Sequence, residues 1–155
     1  DEVRFPPHRL TLEVTETELS VDLARSLENT SRLRMRGVSI AIDDFGTGHS
    51  SLSLLISSPF TELKIDQFFV NKMLDNHKHL AAIKCAIALG KSLDLKIVAE
   101  GVETQEQAKT LVKLGCDVLQ GYYLARPKSS VKFSSLCHQH FLTKANTAPR
   151  SLLTA

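Results

Sequence analysis

The chain has 155 residues, of which 43% are hydrophobic and 23% charged, and its net charge is +2. These values are ordinary for a single globular domain, and so small a net charge gives no support for binding to a nucleic-acid polymer or a membrane surface. The three cysteines are widely spaced, which favours the reduced thiols of a cytoplasmic protein over disulfides or a zinc site. No apolar run reaches the roughly 18 residues that a membrane-spanning helix needs.

Short apolar runs that end in polar residues recur along the chain and predict five β-strands. The predicted strands are Leu10–Glu16, Val38–Asp44, Thr61–Asp66, Leu95–Gly101 and Asp117–Gly121.

Helical patterns separate these strands. The first helix is expected to be capped by Ser20 and to end at Gly37. Thr104 and Gln107 have the spacing of a capping box at the start of the last helix of the series, which Gly115 ends. The other predicted helices are Leu52–Ile56, Gln67–Leu74 and His79–Leu93. This alternation predicts an α/β fold, either a doubly wound parallel sheet or part of a barrel.

The carboxyl-terminal segment has a different character. We expect residues 1–130 to form the domain proper and residues 131–155 to form a terminal segment. A short helix is predicted there through Phe133, Leu136 and Phe141, and the region from Thr143 onward lacks periodicity and is expected to be disordered.

Carboxylates stand at or near the ends of three predicted strands, namely Glu13, the pair Asp43 and Asp44, and Glu100. Parallel strands present their carboxyl ends to one edge, so we expect these side chains to converge. Carboxylate oxygens are ligands that Mg²⁺ and Mn²⁺ prefer. Lys64 lies near the end of the intervening strand, where it could steady a phosphate or an attacking water. The pattern indicates a metal-assisted phosphoryl site.

Simpler interpretations exist for each residue. One of the two aspartates could cap the following turn, and Lys64 could extend its ammonium to solvent. Glu16 could support the glycine-rich loop after Asp44 or cap the next helix, and its position does not distinguish the two. Gln120 could hydrogen-bond a water or a metal-bound ligand. The recurrence of acids at equivalent strand ends favours the functional interpretation.

Five segments together resemble the EAL-domain family of cyclic di-GMP phosphodiesterases. They are Leu-Glu13-Val-Thr-Glu16, Ile-Asp43-Asp44-Phe-Gly-Thr-Gly-His-Ser-Ser, Leu-Lys64-Ile-Asp, Val-Ala-Glu100-Gly-Val-Glu103-Thr and Leu-Gln120-Gly-Tyr-Tyr-Leu-Ala-Arg-Pro127. The resemblance runs in order over residues 10–127. It implies the last five βα units of a modified (β/α)8 TIM barrel. It also implies that two Mg²⁺ or Mn²⁺ ions activate a water that opens cyclic di-GMP to linear pGpG.

The resemblance also implies roles for individual residues. It makes Glu13, Asp43, Asp44 and Glu100 metal ligands, and it places Lys64 and Gln120 around the catalytic water and the metals. It further implies that Glu16 holds the glycine-rich loop, that Glu103 is another acid near the site, and that Arg126 and Pro127 contact substrate. His49 stands where tyrosine is commoner in the family.

The chain also departs from the family pattern. The Glu-Ala-Leu signature does not occur in it, and neither does the metal-binding asparagine expected on the next strand. We therefore expect a fragment with little activity of its own, whose partners are cyclic di-GMP and the upstream half of its own domain. The exposed strand edge would also allow a homodimer.

Two other functions share parts of this pattern. A non-catalytic module that senses cyclic di-GMP or binds a protein remains an alternative, although it would not need metal ligands. A phosphoacceptor receiver domain also has paired aspartates and a lysine, but its phosphorylatable aspartate on the third strand is missing here. The strand after the aspartate pair ends in Lys64-Ile-Asp66, and the next one ends in Glu100.

Overall fold

A computed structural model describes residues 5–46 and 52–147 of the chain. Two compact units are present, residues 1–124 and residues 125–155. The first contains a five-stranded sheet, whose strands are β1 (Thr11–Thr15), β2 (Ser39–Phe45), β3 (Glu62–Ile65), β4 (Lys96–Ala99) and β5 (Val118–Leu119). Its helices are α1 (Glu16–Val21), α2 (Leu23–Met35), α3 (Leu52–Ser57), α4 (Gln67–Val70), α5 (His77–Ser92) and α6 (Gln105–Leu114), and a short 3₁₀ turn covers Pro7–Arg9.

All five strands are parallel, and their order in the sheet follows their order in the chain. A doubly wound sheet reverses its strand order at a switch point, whereas a barrel adds each strand next to the one before. The α/β prediction is confirmed, and the topology favours the barrel over the doubly wound alternative.

One face of the sheet packs against helices and forms the hydrophobic core. Alternate strand residues point to opposite faces, and Ile40, Ile42, Leu63, Ile65 and Ile97 are fully buried on this outer face. Helix α5 contributes Ile83 and Ile87 to the same core, and α6 contributes Leu111. Gly90 lets α5 approach closely, since a Cβ there would lie 2.2 Å from Cδ1 of Ile97. The face opposite this core, the inner face, carries the charged residues described below.

Local capping explains where the early helices begin. The predicted single helix capped by Ser20 is wrong, because the structure has two helices there. Thr15 and Glu18 form a capping box that starts α1 one residue after β1, and Asp22 accepts from the backbone N–H of Arg25 to start α2. Strand β1 therefore ends at Thr15 rather than at Glu16.

Later helix ends agree more closely with the sequence. The capping box of Thr104 and Gln107 is present at the start of α6, and Gly115 ends that helix with a φ of 96°. The stretch predicted as helix Gln67–Leu74 is helical only as far as Val70. Helix α5 begins at His77 rather than at His79, because Asn76 accepts from the backbone N–H of Lys78.

The second compact unit contains helix α7, Ser130–Thr147. At 18 residues it is longer than the short helix predicted, and it includes Thr143–Thr147, where disorder was expected. Its apolar residues are too sparse for a periodic signal, so the pattern underestimated it. Residues 148–155 of the expected tail lie outside the described residues. No helix within the described ranges is both long and apolar enough to cross a membrane.

Candidate functional site

The strand register brings four charged residues to the carboxyl end of the inner face. Glu13 pairs with Ala41 and Thr15 with Asp43 across β1 and β2, and Lys64 pairs with Val98 across β3 and β4. Glu100 directly follows β4 and lies two positions beyond Val98, on the same face. The predicted convergence of acids therefore has a simple cause in parallel pairing and alternation.

Lys64 lies at the centre of this group. Its Nζ is 2.8 Å from Glu13 Oε2, 3.0 Å from Asp43 Oδ1 and 2.8 Å from Glu100 Oε1, and its side chain is 5% exposed. Burial by itself would lower the pKa of Lys64, but the hydrogen bonds to Glu100, Glu13 and Asp43 outweigh it, and the pKa is raised. The lysine stays charged and does not reach solvent, so the solvent-extended interpretation is wrong.

Glu100 is the most enclosed of the three acids that contact Lys64. Burial raises the pKa of Glu100, and repulsion from Asp43 and Glu13 adds to this, while the Lys64 ammonium opposes both. A carboxylate in such surroundings gains from any further positive charge placed beside it.

An irregular end of β2 places two aspartates side by side. The register with β3 shifts between Ile42 and Phe45, and Asp44 has a φ of 55°. Its backbone N–H donates to Asp43 Oδ1 at 3.0 Å. Such an irregularity bends a strand and redirects its side chains. Burial raises the pKa of the Asp44 carboxyl, and the neighbouring charges of Asp43 and Asp66 raise it further.

Asp66 is a residue of this site that the sequence analysis did not select. It hydrogen-bonds with the side chain of Asp44, and its Oδ1 accepts from the backbone N–H of Phe68 at the start of α4. It directly follows β3 just as Glu100 directly follows β4, and this equivalent position is the signal that could have identified it.

Glu103 and Gln120 lie beside Glu100 rather than among the three acids that contact Lys64. With Gln67 and Tyr122 they line a cavity of about 240 Å³ next to Glu100. The loop that carries Glu103 is held by Gln107, whose Oε1 accepts from the backbone N–H of Glu103 and whose Nε2 donates to the carbonyl of Val70. The sequence identified Gln107 only as a helix cap, and this second contact was missed.

Three predicted site residues are not placed by these contacts. The side chain of Glu16 lies outside the described residues, as do residues 47–51 of the glycine-rich loop, so its anchoring role stays a prediction. Arg126 and Pro127 belong to the second compact unit, and their contact with substrate also stays a prediction.

The donor chemistry of the cluster fits Mg²⁺ or Mn²⁺. Glu13 on β1, Asp43 on β2 and Glu100 after β4 offer carboxylate oxygens, and Asp44 adds another next to Asp43. Within the described ranges no three acids, histidines or cysteines are arranged as a ready cage for an ion. Three of these carboxylates are instead drawn to Lys64. The residue types fit the ions, and their present arrangement is centred on the ammonium.

The chain is therefore an α/β protein of parallel βα units, and it carries an acid cluster with one lysine at the carboxyl edge of its sheet. The sequence model of the EAL domain family matches residues 2–127. The chain therefore belongs to the EAL domain family.

Relatives and solved structures agree with this assignment. "Cyclic di-GMP phosphodiesterase RocR" of Pseudomonas aeruginosa is 43% identical over 136 residues, which are 88% of this chain and 35% of RocR. A structure described as "PaMucR Phosphodiesterase, c-di-GMP complex" superposes with a TM-score of 0.79 at 46% identity, over 83% of this chain and 52% of that one. A manganese/cy-diGMP complex of Klebsiella pneumoniae BlrP1 gives 0.74 at 33% identity, over 79% of this chain and 31% of that one.

The prediction of a partial TIM-like barrel is confirmed, since the structural neighbours are EAL domains, which have that fold. The chain spans about a third of RocR and about half of the MucR chain.

Proposed function

We propose that this chain supplies the acidic part of an active site that hydrolyses cyclic di-GMP to linear pGpG with two Mg²⁺ or Mn²⁺ ions. The observation that carries the proposal is the group of Glu13, Asp43, Glu100 and Lys64, gathered from four strands at the edge where α/β proteins bind ligands. The names of the relatives support the substrate. The manganese and calcium complexes of BlrP1 support a divalent cation.

Each residue then has a physical task. Glu13, Asp43, Asp44 and Glu100 would hold the cations, which, when bound, would polarise the phosphodiester and help to activate water. Lys64 keeps its charge through its ion pairs and would lie beside the charge that builds up on the phosphoryl oxygens. Gln120 and Glu103 border the adjoining cavity and would contact the nucleotide or its water.

The reaction is a simple hydrolysis. Water attacks the phosphorus of one phosphodiester, the bond from phosphorus to the 3′ oxygen breaks, and that oxygen takes a proton. The linear dinucleotide keeps a 5′-phosphate. Water is the only co-substrate, and no oxidant is needed. We assign the reaction to the cytoplasm because the described cysteines are free thiols.

The active form in this proposal includes the upstream half of the same domain. Five strands do not close a barrel of eight, and β1 has no further strand beside it among the described residues. An open parallel edge pairs readily with other chains, so either the upstream half or a second copy would cover it.

Complementation tests this proposal. The chain is joined to, or mixed with, the upstream half of its own domain or that of RocR, and nucleotide products are separated by chromatography. We expect cation-dependent conversion of cyclic di-GMP to pGpG by the combined halves and little or none by the 155 residues without a partner. Binding of cyclic di-GMP without hydrolysis by correctly folded combined halves would overturn the catalytic proposal and favour a sensing module.

A further inference from the structure

Lys64 is a cation enclosed at the point where three acids from three different strands meet. Each acid lies 3.0 Å or less from the same nitrogen, so the three carboxylate oxygens are within about 6 Å of one another and repel strongly in a partly buried place. One ammonium balances one of the three negative charges, which leaves two in excess. A divalent cation carries twice the charge of the ammonium, so it neutralises more of this cluster than the lysine does.

The length of the lysine side chain lets its ammonium serve all three strands at once. Glu13 is on β1, Asp43 is on β2 and Glu100 follows β4, while Lys64 stands on β3 between them. The side chain is almost fully enclosed, whereas that of Glu13 is half exposed. Glu13 thus leaves its side of the cluster open to solvent, and an ion can approach there.

We propose that the Lys64 ammonium and the divalent cations are alternative counter-ions for the same three carboxylates: the lysine holds Glu13, Asp43 and Glu100 together until cations take over their charge. Lys64 is then a positioning residue for the acids as well as a neighbour of the phosphate. This inference rests on the proposed cation site, and it explains why the acids face a lysine rather than one another.

Two consequences separate this role from ordinary packing. Removing the ammonium leaves three carboxylates in mutual repulsion, so the protein without added cations loses stability. Divalent cations relieve that repulsion, so they stabilise the altered protein more than the natural one. A lysine that only filled space would give the first effect without the second.

Lys96 provides a matched control on the neighbouring strand. It also lies on the inner face, but nearer the amino end of its strand, and its side chain is half exposed. It forms a loose ion pair of 3.7 Å with Glu62, so Lys96→Met removes the same charge without touching the three acids.

The experiment compares thermal unfolding of the natural chain, Lys64→Met and Lys96→Met in chelator, in Mg²⁺ and in Mn²⁺, at matched ionic strength. We expect Lys64→Met to melt lower in chelator and to show roughly double the natural cation-induced rise in melting temperature. Lys96→Met should follow the natural chain. An equal or smaller cation-induced rise in Lys64→Met would overturn the proposal.

A second variant covers the case in which Lys64→Met does not fold. If it folds only when Mg²⁺ or Mn²⁺ is present, the proposal is supported directly. If it stays unfolded in all conditions, the double change Lys64→Met with Glu13→Gln removes one repelling charge and should recover the fold; failure to do so would show that Lys64 acts by packing. Cyclic di-GMP is absent throughout, so failure of the proposed hydrolysis leaves these outcomes unaffected.

Discussion

The two faces of the five-stranded sheet use the same backbone for opposite purposes. On β2, Ile42 is fully buried in the apolar core, while its neighbour Asp43 contacts Lys64 on the other side. On β3, Leu63 belongs to the core and Lys64 to the acid cluster. A strand turns successive side chains to opposite faces, so one residue along the chain separates a packing position from a charged one.

This contrast shows where stability and chemistry reside. The outer face contributes apolar burial, which is the dominant favourable term in folding. The inner face brings like charges together, which costs stability unless cations neutralise them. Substitutions on the outer face should therefore lower the free energy of unfolding, whereas substitutions on the inner face should lower turnover, even for adjacent residues.

The largest effect on activity is expected from Asp43→Asn in the complete domain. The change keeps the shape of the side chain and removes a negative charge from the proposed cation site, so turnover should fall by a factor of about 100 or more. The melting temperature in chelator should change little or rise, because repulsion within the cluster decreases. Near-natural hydrolysis by this variant would show that Asp43 is not part of the cation site.

Ile42→Ala, one residue earlier, is expected to lower stability and leave turnover per folded molecule unchanged. Ile42 is 1% exposed, and truncating such a residue costs about 2–5 kcal/mol of unfolding free energy. Denaturant unfolding measures that loss, and hydrolysis per folded molecule, measured well below the midpoint, should stay near the natural rate. A specific loss of turnover in fully folded protein would show that the two faces are not separable.

A smaller effect, and one on stability against pH, is expected from Asp117→Asn. The backbone N–H of Ile97 and then the Lys91 ammonium lower the pKa of Asp117, far from the acid cluster. A lowered pKa in the folded state stabilises the fold above the ordinary value of 3.8, and this contribution is lost as pH falls through the lower folded pKa.

Melting temperatures measured from neutral to acidic pH test this point. The variant should be slightly less stable at neutral pH, by less than about 1 kcal/mol since the ion pair is partly exposed, and should lose less stability below pH about 4. Lys91→Met removes the same ion pair and serves as its control. Parallel curves for the natural chain and Asp117→Asn would contradict the assigned pKa shift.

Much of this architecture could be predicted from the sequence, because the strands and helix ends depend on neighbouring residues in the chain. Short apolar runs that end in polar residues predicted the five strands, and the Thr104 capping box with Gly115 predicted α6. The acids near strand ends predicted convergence, since parallel pairing places such positions at one edge.

Contacts between residues distant in the chain could not be predicted from the sequence. That Lys64 meets three acids at once depends on the register of four strands. The contact of Asp66 with Asp44 depends on the irregular end of β2. The break between α1 and α2 was missed for a different reason: Thr15 and Asp22 both compete with Ser20 as caps, and composition does not decide among three good capping residues.

In the proposed function, the acids on the inner face bind the cations that act on cyclic di-GMP. A crystal structure of the complete domain with Mn²⁺ and cyclic di-GMP tests it most directly, because anomalous scattering locates the manganese. We predict manganese in contact with carboxylate oxygens of Glu13, Asp43 and Glu100 and with a phosphodiester of the ligand. Manganese bound elsewhere, with the three carboxylates still paired to Lys64 and cyclic di-GMP remote from them, would contradict the account.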